Sequence, residues 1–69
     1  MKIAILVALA RQVEGEFVFI NVLKSHTDPG VLRKFLAENP QPRTGKYSGV
    51  DCVVEYGIIE DVEVEGTSQ

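Results

Sequence analysis

The longest apolar stretch of the chain lies near its start. Ile3 to Ala10 is a nearly continuous apolar run, which is typical of a strand that is central in its sheet or covered on both faces. Phe17 to Leu23 is rich in β-branched and aromatic residues, which favour a second strand. Gly15 lies between the two runs and can adopt positive φ, so an antiparallel hairpin is predicted. Alternation places Val18, Ile20 and Val22 on one face of the second strand.

A helix is predicted after this hairpin. Asp28 is a favourable N-cap, with Thr27 as the alternative, and Pro29 suits the first helical position. Asn39 precedes a proline, which disfavours helical geometry, so the helix is expected to end there. One arc of the helix carries the apolar side chains Val31, Leu32, Phe35 and Leu36.

The remaining chain is predicted to form a loop followed by one or two strands. Residues 40–49 contain two prolines and two glycines, a composition typical of a loop. Val50 to Tyr56 has the pattern of a strand, and Gly57 indicates a bulge or bend. Ile58 to Val64 is either a fourth strand or the bent end of the third.

This element order, ββαββ, predicts an α+β fold in which one helix packs on one face of a mostly antiparallel sheet. The chain is expected to form a single small domain over residues 1–66, with residues 67–69 as a frayed tail. The order is similar to that of the β-grasp class, which includes ubiquitin-like proteins, at the level of element order only. Sulfur-carrier and conjugating members of that class end in Gly-Gly. Here Gly66 is followed by three further residues, so that activity is not expected.

The small size of the chain limits how it can be stabilised. A domain of this length buries only about 60% of its unfolded surface. Cys52 is the only cysteine and there is one histidine, which excludes an intramolecular disulfide and a structural zinc site. Stability must therefore come from an efficient core or from self-association. A lone cysteine fits a reducing compartment, so a cytoplasmic location is expected. The initial apolar run is too short for a membrane span, so no membrane partner is expected.

Charges are sorted along the chain. All seven Lys and Arg residues lie between Lys2 and Lys46, and six of the ten acidic residues lie between Asp51 and Glu65. If the two halves fold against each other, this order predicts a basic side and an acidic side. The net charge of −3 argues against a general nucleic-acid binder.

No pattern in the sequence indicates an enzyme. Ser25, His26 and Asp28 are the residue types of a hydrolytic triad, but residues so close in sequence rarely converge on one point, and capping accounts for Asp28. Cys52 lies on the inward face of its strand beside carboxylates, which oppose formation of a reactive thiolate. The C-terminal acids follow a strand, whereas calcium needs oxygens that converge. No catalytic residue, cofactor or metal is therefore predicted.

Three functional hypotheses follow from these patterns. The leading one is a small protein–protein interaction module that self-associates, for example as a homodimer, through a strand edge or through polarised charged faces. The second, ranked lower, is an anion- or nucleic-acid-binding domain that uses the basic helix and the 40–49 loop. Its binding residues would be Lys24, Arg33, Lys34, Arg43, Lys46 and Tyr47. The third is an acidic decoy that binds a basic partner through the C-terminal strand, whose acidic face would comprise Glu60, Asp61, Glu63 and Glu65.

Overall fold

The fold consists of one antiparallel four-stranded sheet and one helix. The structure is a computed structural model that describes residues 1–64, so the predicted tail lies outside the described residues. Strands pair in the order β2-β1-β4-β3, and every pairing is antiparallel. The predicted α+β class and the ββαββ order are confirmed. The elements are β1 (Lys2–Gln12), β2 (Val18–His26), α1 (Pro29–Glu38), β3 (Thr44–Tyr47) and β4 (Val50–Glu63).

Strand β1 lies inside the sheet, as its apolar run predicts. It pairs with β2 on one side and with β4 along almost its whole length on the other. Side chains of alternate residues project to opposite faces. Those on the face towards α1 are fully buried, whereas those on the opposite face keep part of their exposure. The buried set is Ala4, Leu6, Ala8 and Ala10.

Helix α1 covers only one end of the sheet. Asp28 is its N-cap, and the Asp28 carboxylate accepts a hydrogen bond of 2.8 Å from the Gly30 N–H. Leu32 is fully buried against Ala4 and Leu6. A helix of 10 residues is about 15 Å long, whereas a strand of 11 residues extends over about 36 Å. The helix is therefore too short to cover the whole face.

Aromatic side chains close the part of this face that α1 does not reach. Phe19 from β2 and Tyr47 from β3 stack with ring centroids 6.1 Å apart and an interplanar angle of 18°. The two strands are separated by β1 and β4, so their rings meet only because the sheet curls towards this side. Small residues beneath the rings leave the necessary space. They belong to a second core cluster that comprises Ala8, Ala10, Cys52 and Val54.

One prediction for the C-terminal half was wrong, and one alternative that the sequence left open is resolved. Residues 44–47 form a strand, although their glycine and the nearby prolines predicted a loop. The strand is specified by its hairpin with β4, in which Ser48 and Gly49 both have positive φ, 54° and 77°. This combination matches the right-handed twist of two strands joined by two residues. Residues 50–63 form one continuous strand, which corresponds to the bent-end alternative.

The irregularity in β4 lies beyond Gly57. The register with β1 shifts between Ile3 and Ile5, opposite Asp61, whose φ is 57°. An additional residue on one strand makes such a bulge and increases the local twist. Gly57 itself is paired with Val7 in regular register.

Candidate functional site

Four of the five acidic residues of β4 form salt bridges with cations from earlier in the chain. Each of these salt bridges is exposed, so each contributes only about 0.2–1 kcal/mol. Charges that are segregated along the sequence are thus interleaved in space, and these pairs do not produce a basic side opposite an acidic side. The pairs are Lys46–Asp51 (3.9 Å), Arg11–Glu55 (3.2 Å), Arg33–Glu60 and the Met1 amino group with Glu63 (3.6 Å).

The residues of the proposed basic site are distributed over different surfaces. The Lys24 ammonium lies 5.2 Å from the centre of the Phe35 ring, and Arg33 donates a hydrogen bond to Glu60. Tyr47 is half-buried beneath Phe19. Lys34 is exposed on α1, Arg43 lines a cleft before β3, and Lys46 pairs with Asp51. The structure does not bring these six residues to one surface.

The proposed acidic face is also divided. Glu60 turns towards α1, where it meets Arg33. Asp61 lies at the bulge of β4, and Glu63 lies near the amino terminus. Glu65 lies outside the described residues. Within residues 1–64, no three His, Cys, Asp or Glu side chains are placed to hold a metal ion.

The face of the sheet opposite α1 is apolar, and no element within residues 1–64 covers it. We call it the open face. Strand register places its members on one side of β2, β1 and β4. The pattern of β1 predicted a strand that is central in its sheet or covered on both faces. β1 is an internal strand, and α1 supplies cover on one face. The open face comprises Ile3, Ile5, Val7, Leu9, Val18, Ile20, Val22, Val53, Ile59 and Val62.

Exposure on the open face is large for apolar side chains. Ile20 is 66% exposed and Val22 is 61% exposed. Three strands of about 4.8 Å spacing, over eight residue steps of about 3.3 Å, give a flat area of roughly 400 Å². A patch of about 300–600 Å² is the largest that typical monomers expose, and it is often functional. This protein has a total accessible surface of 4977 Å², so the patch is a substantial part of it.

Gly57 lies near the middle of the open face. It is opposite Val7 in the register of β1 and β4. A Cβ atom placed on Gly57 would meet no atom within 4 Å, so a side chain can begin there without displacing another part of this chain.

Charge on the open face is confined to one end. The residue pair Arg11–Glu55 lies beside Leu9 and Val53, and Lys46–Asp51 follows on β3 and β4. Each pair is internally neutralised. A molecule that covers the apolar part would therefore bury no uncompensated charge, which is the costly case.

A separate cleft of about 450 Å³ lies between the end of α1, the segment before β3, and β4. At one wall the Tyr56 hydroxyl donates a hydrogen bond of 2.7 Å to the Pro42 carbonyl. Partial burial and, secondarily, the neighbouring Tyr47 raise the pKa of Tyr56 above its ordinary value of 10.0. Tyr56 therefore stays protonated near neutral pH and acts as a donor that holds this segment.

Sequence reasoning did not identify the open face as a site, although a signal was present. The first two strands carry apolar residues on both of their faces. A single helix packs on one side of a sheet, so it cannot cover both. Comparing the number of apolar faces with the number of covering elements would have located it.

Comparisons with protein-family models, with curated proteins and with solved structures found no match for this chain. Across residues 1–64, no helix has the length and apolar content needed to cross a membrane. The argument for function therefore starts from the open face and its surroundings.

Proposed function

We propose that this protein is a small interaction module that self-associates by packing its open face against the open face of a second copy. The supporting observation is the roughly 400 Å² apolar face that no element among the described residues covers. Covering such a surface removes apolar area from water at about 25 cal/mol per Å². Ten apolar side chains are available for this contact.

A second copy is the occupant favoured by the chemistry of the face. Two such faces are both apolar, and sheets that pack face to face lie about 10 Å apart. The molecule is only 15 Å thick along its shortest axis. Pairing of the two open faces would place an apolar layer between two sheets. The neutral pairs Arg11–Glu55 and Lys46–Asp51 mean that copies approach without a net like-charge repulsion at this surface.

Self-association would also add buried apolar surface to a protein whose own core is small. Described residues that are fully buried are few and mostly small, and Leu6, Leu32 and Cys52 are the largest of them. Two faces of roughly 400 Å² projected area would bury on the order of 1,000 Å² of accessible surface, because protruding side chains add to the projected area. This value is near the lower limit for a specific interface. Twofold symmetry is the commonest arrangement for such a contact.

Gly57→Lys is the variant that tests this surface. In an isolated chain the new Cβ atom meets no atom within 4 Å and the backbone there needs no positive φ, so the fold should be retained. In the associated state it would place an ammonium group in an apolar contact, which is strongly unfavourable. Sedimentation equilibrium should show a lower mass for Gly57→Lys than for the wild type, because the contact between open faces is lost.

Ala37→Lys is the matched control, because it adds the same charge at an exposed position of α1 away from the open face. It should associate as the wild type does, and circular dichroism should be the same for all three proteins. A wild type that stays monomeric at millimolar concentration, or a Gly57→Lys variant that associates normally, would exclude the open face as the interface.

A further inference from the structure

The outer edge of β2 has no strand beside it in the part of the chain that the structure describes. β2 is the first strand of the sheet order, and its nine residues pair only with β1 among the described elements. Along such an edge, alternate residues direct unpaired N–H and C=O groups outwards, where another strand can bind them. Almost every residue of β2 is also exposed.

β2 lacks the usual protection of an edge strand over most of its length. Natural edges are commonly short, charged, bulged or interrupted by proline. Val18 to Leu23 contains no charge and no proline, and its only irregularity is a register shift at Leu23. The other edge strand, β3, has four residues including Lys46. The part of β4 beyond β3 carries a bulge and four acidic residues, Glu55, Glu60, Asp61 and Glu63.

We propose that β2 pairs antiparallel with β2 of a second copy, about a twofold axis at Asn21. This rests on the proposed function only in taking a second copy as the partner, since it uses a different surface. Pairing would convert two four-stranded sheets into one of eight strands. The two open faces would become continuous, which doubles the apolar area that each sheet presents.

The position of the axis follows from the side chains of β2. Asn21 is the only polar residue from Phe17 to Leu23, and it is exposed. With the axis at Asn21, the two carboxamides face each other, and each can donate to and accept from the other. Moving the axis by one residue would place Asn21 opposite Phe19 or Leu23 of the second copy. The chosen register also sets Ile20 opposite Val22 of the second copy, both on the open face.

Edge pairing and face pairing are compatible in one closed assembly. The edge axis is perpendicular to the sheet, and the face axis lies in the plane between two sheets. Two such axes at right angles generate a tetramer with D2 symmetry, a common arrangement. Eight-stranded sheets would then pack face to face, each with its central strands formed by β2 of two copies.

Asn21→Cys tests the pairing directly. Opposed residues of an antiparallel pair have Cα atoms about 4.5–5.5 Å apart, within the disulfide range of about 4.4–6.8 Å. Oxidation with oxidised glutathione should convert Asn21→Cys into a disulfide-linked dimer that dithiothreitol reverses. Ser25→Cys is the control, because it is exposed on the same strand but distant from the axis. Native Cys52 is buried and should stay reduced in both.

A second variant gives a readout without oxidation. Asn21→Lys would place two ammonium groups opposite each other, which disfavours pairing, so sedimentation should show half the wild-type mass. Cross-linking of Asn21→Cys no faster than that of Ser25→Cys, or an unchanged mass for Asn21→Lys, would overturn the edge pairing.

Combining Asn21→Cys with Gly57→Lys separates the two proposals. Retained cross-linking in the double variant supports edge pairing on its own, whereas its loss shows that the edge contact does not form independently.

Discussion

Truncating Ile20 should weaken self-association by a factor that the structure allows us to calculate. Ile20→Ala removes about three methylene equivalents, worth about 2.4 kcal/mol if fully buried. Ile20 is 66% exposed in the single chain, so about 1.6 kcal/mol of this would be gained only on association. A twofold contact contains two copies of the residue, which gives about 3 kcal/mol, or roughly a 100- to 200-fold increase in Kd.

Sedimentation equilibrium over a range of protein concentrations measures this change. The same substitution should lower the unfolding free energy of the isolated chain by only about 0.8 kcal/mol, because most of the side chain is already in water. Val31→Ala is the matched control, since Val31 is 38% exposed on α1, away from the open face. It should leave Kd unchanged.

The reasoning would be refuted by an Ile20→Ala variant whose Kd equals that of the wild type and of Val31→Ala. It would also be refuted if both variants weakened association equally, because the loss would then reflect general destabilisation. A melting temperature that rises with concentration for the wild type, and less steeply for Ile20→Ala, would support the linkage of folding to association.

Two further predictions concern the fold itself. Leu32→Ala should lower the unfolding free energy by on the order of 2–5 kcal/mol, because Leu32 is fully buried and attaches α1 to the sheet; urea denaturation measures this, and a loss below about 1 kcal/mol would show that α1 is not anchored there. Stability should fall as pH rises above about 10, because the raised pKa of Tyr56 means that the folded chain holds this proton more tightly than the unfolded chain. Tyr56→Phe should reduce that alkaline loss, and melts of both proteins near pH 9 and pH 11 would compare it; equal losses would contradict the assignment.

The candidate site was less accessible to sequence reasoning than the fold. Alternation in β2 correctly placed Val18, Ile20 and Val22 on one side. The local sequence, however, does not determine which side of the sheet α1 covers. The basic residues were grouped because they are near in sequence, whereas the structure distributes them among salt bridges, an aromatic contact and exposed positions. Sequence proximity is a poor guide here, because these residues lie in or next to different elements, β2, α1 and β3. Within β3, the neighbouring side chains of Lys46 and Tyr47 project to opposite faces.

The sequence by itself determined the features that depend on neighbouring residues. These are the apolar β1, the start of α1 at the Asp28 cap and the apolar arc that buries Leu32. Only the tertiary structure decided the strand at 44–47, the continuity of β4 and the pairing of its acids with distant bases. Those features depend on contacts between residues far apart in the chain, which local propensity does not encode. The open face depends on both the sequence and the tertiary structure. Alternation supplies its apolar residues, and α1 packs on the other face and leaves them exposed.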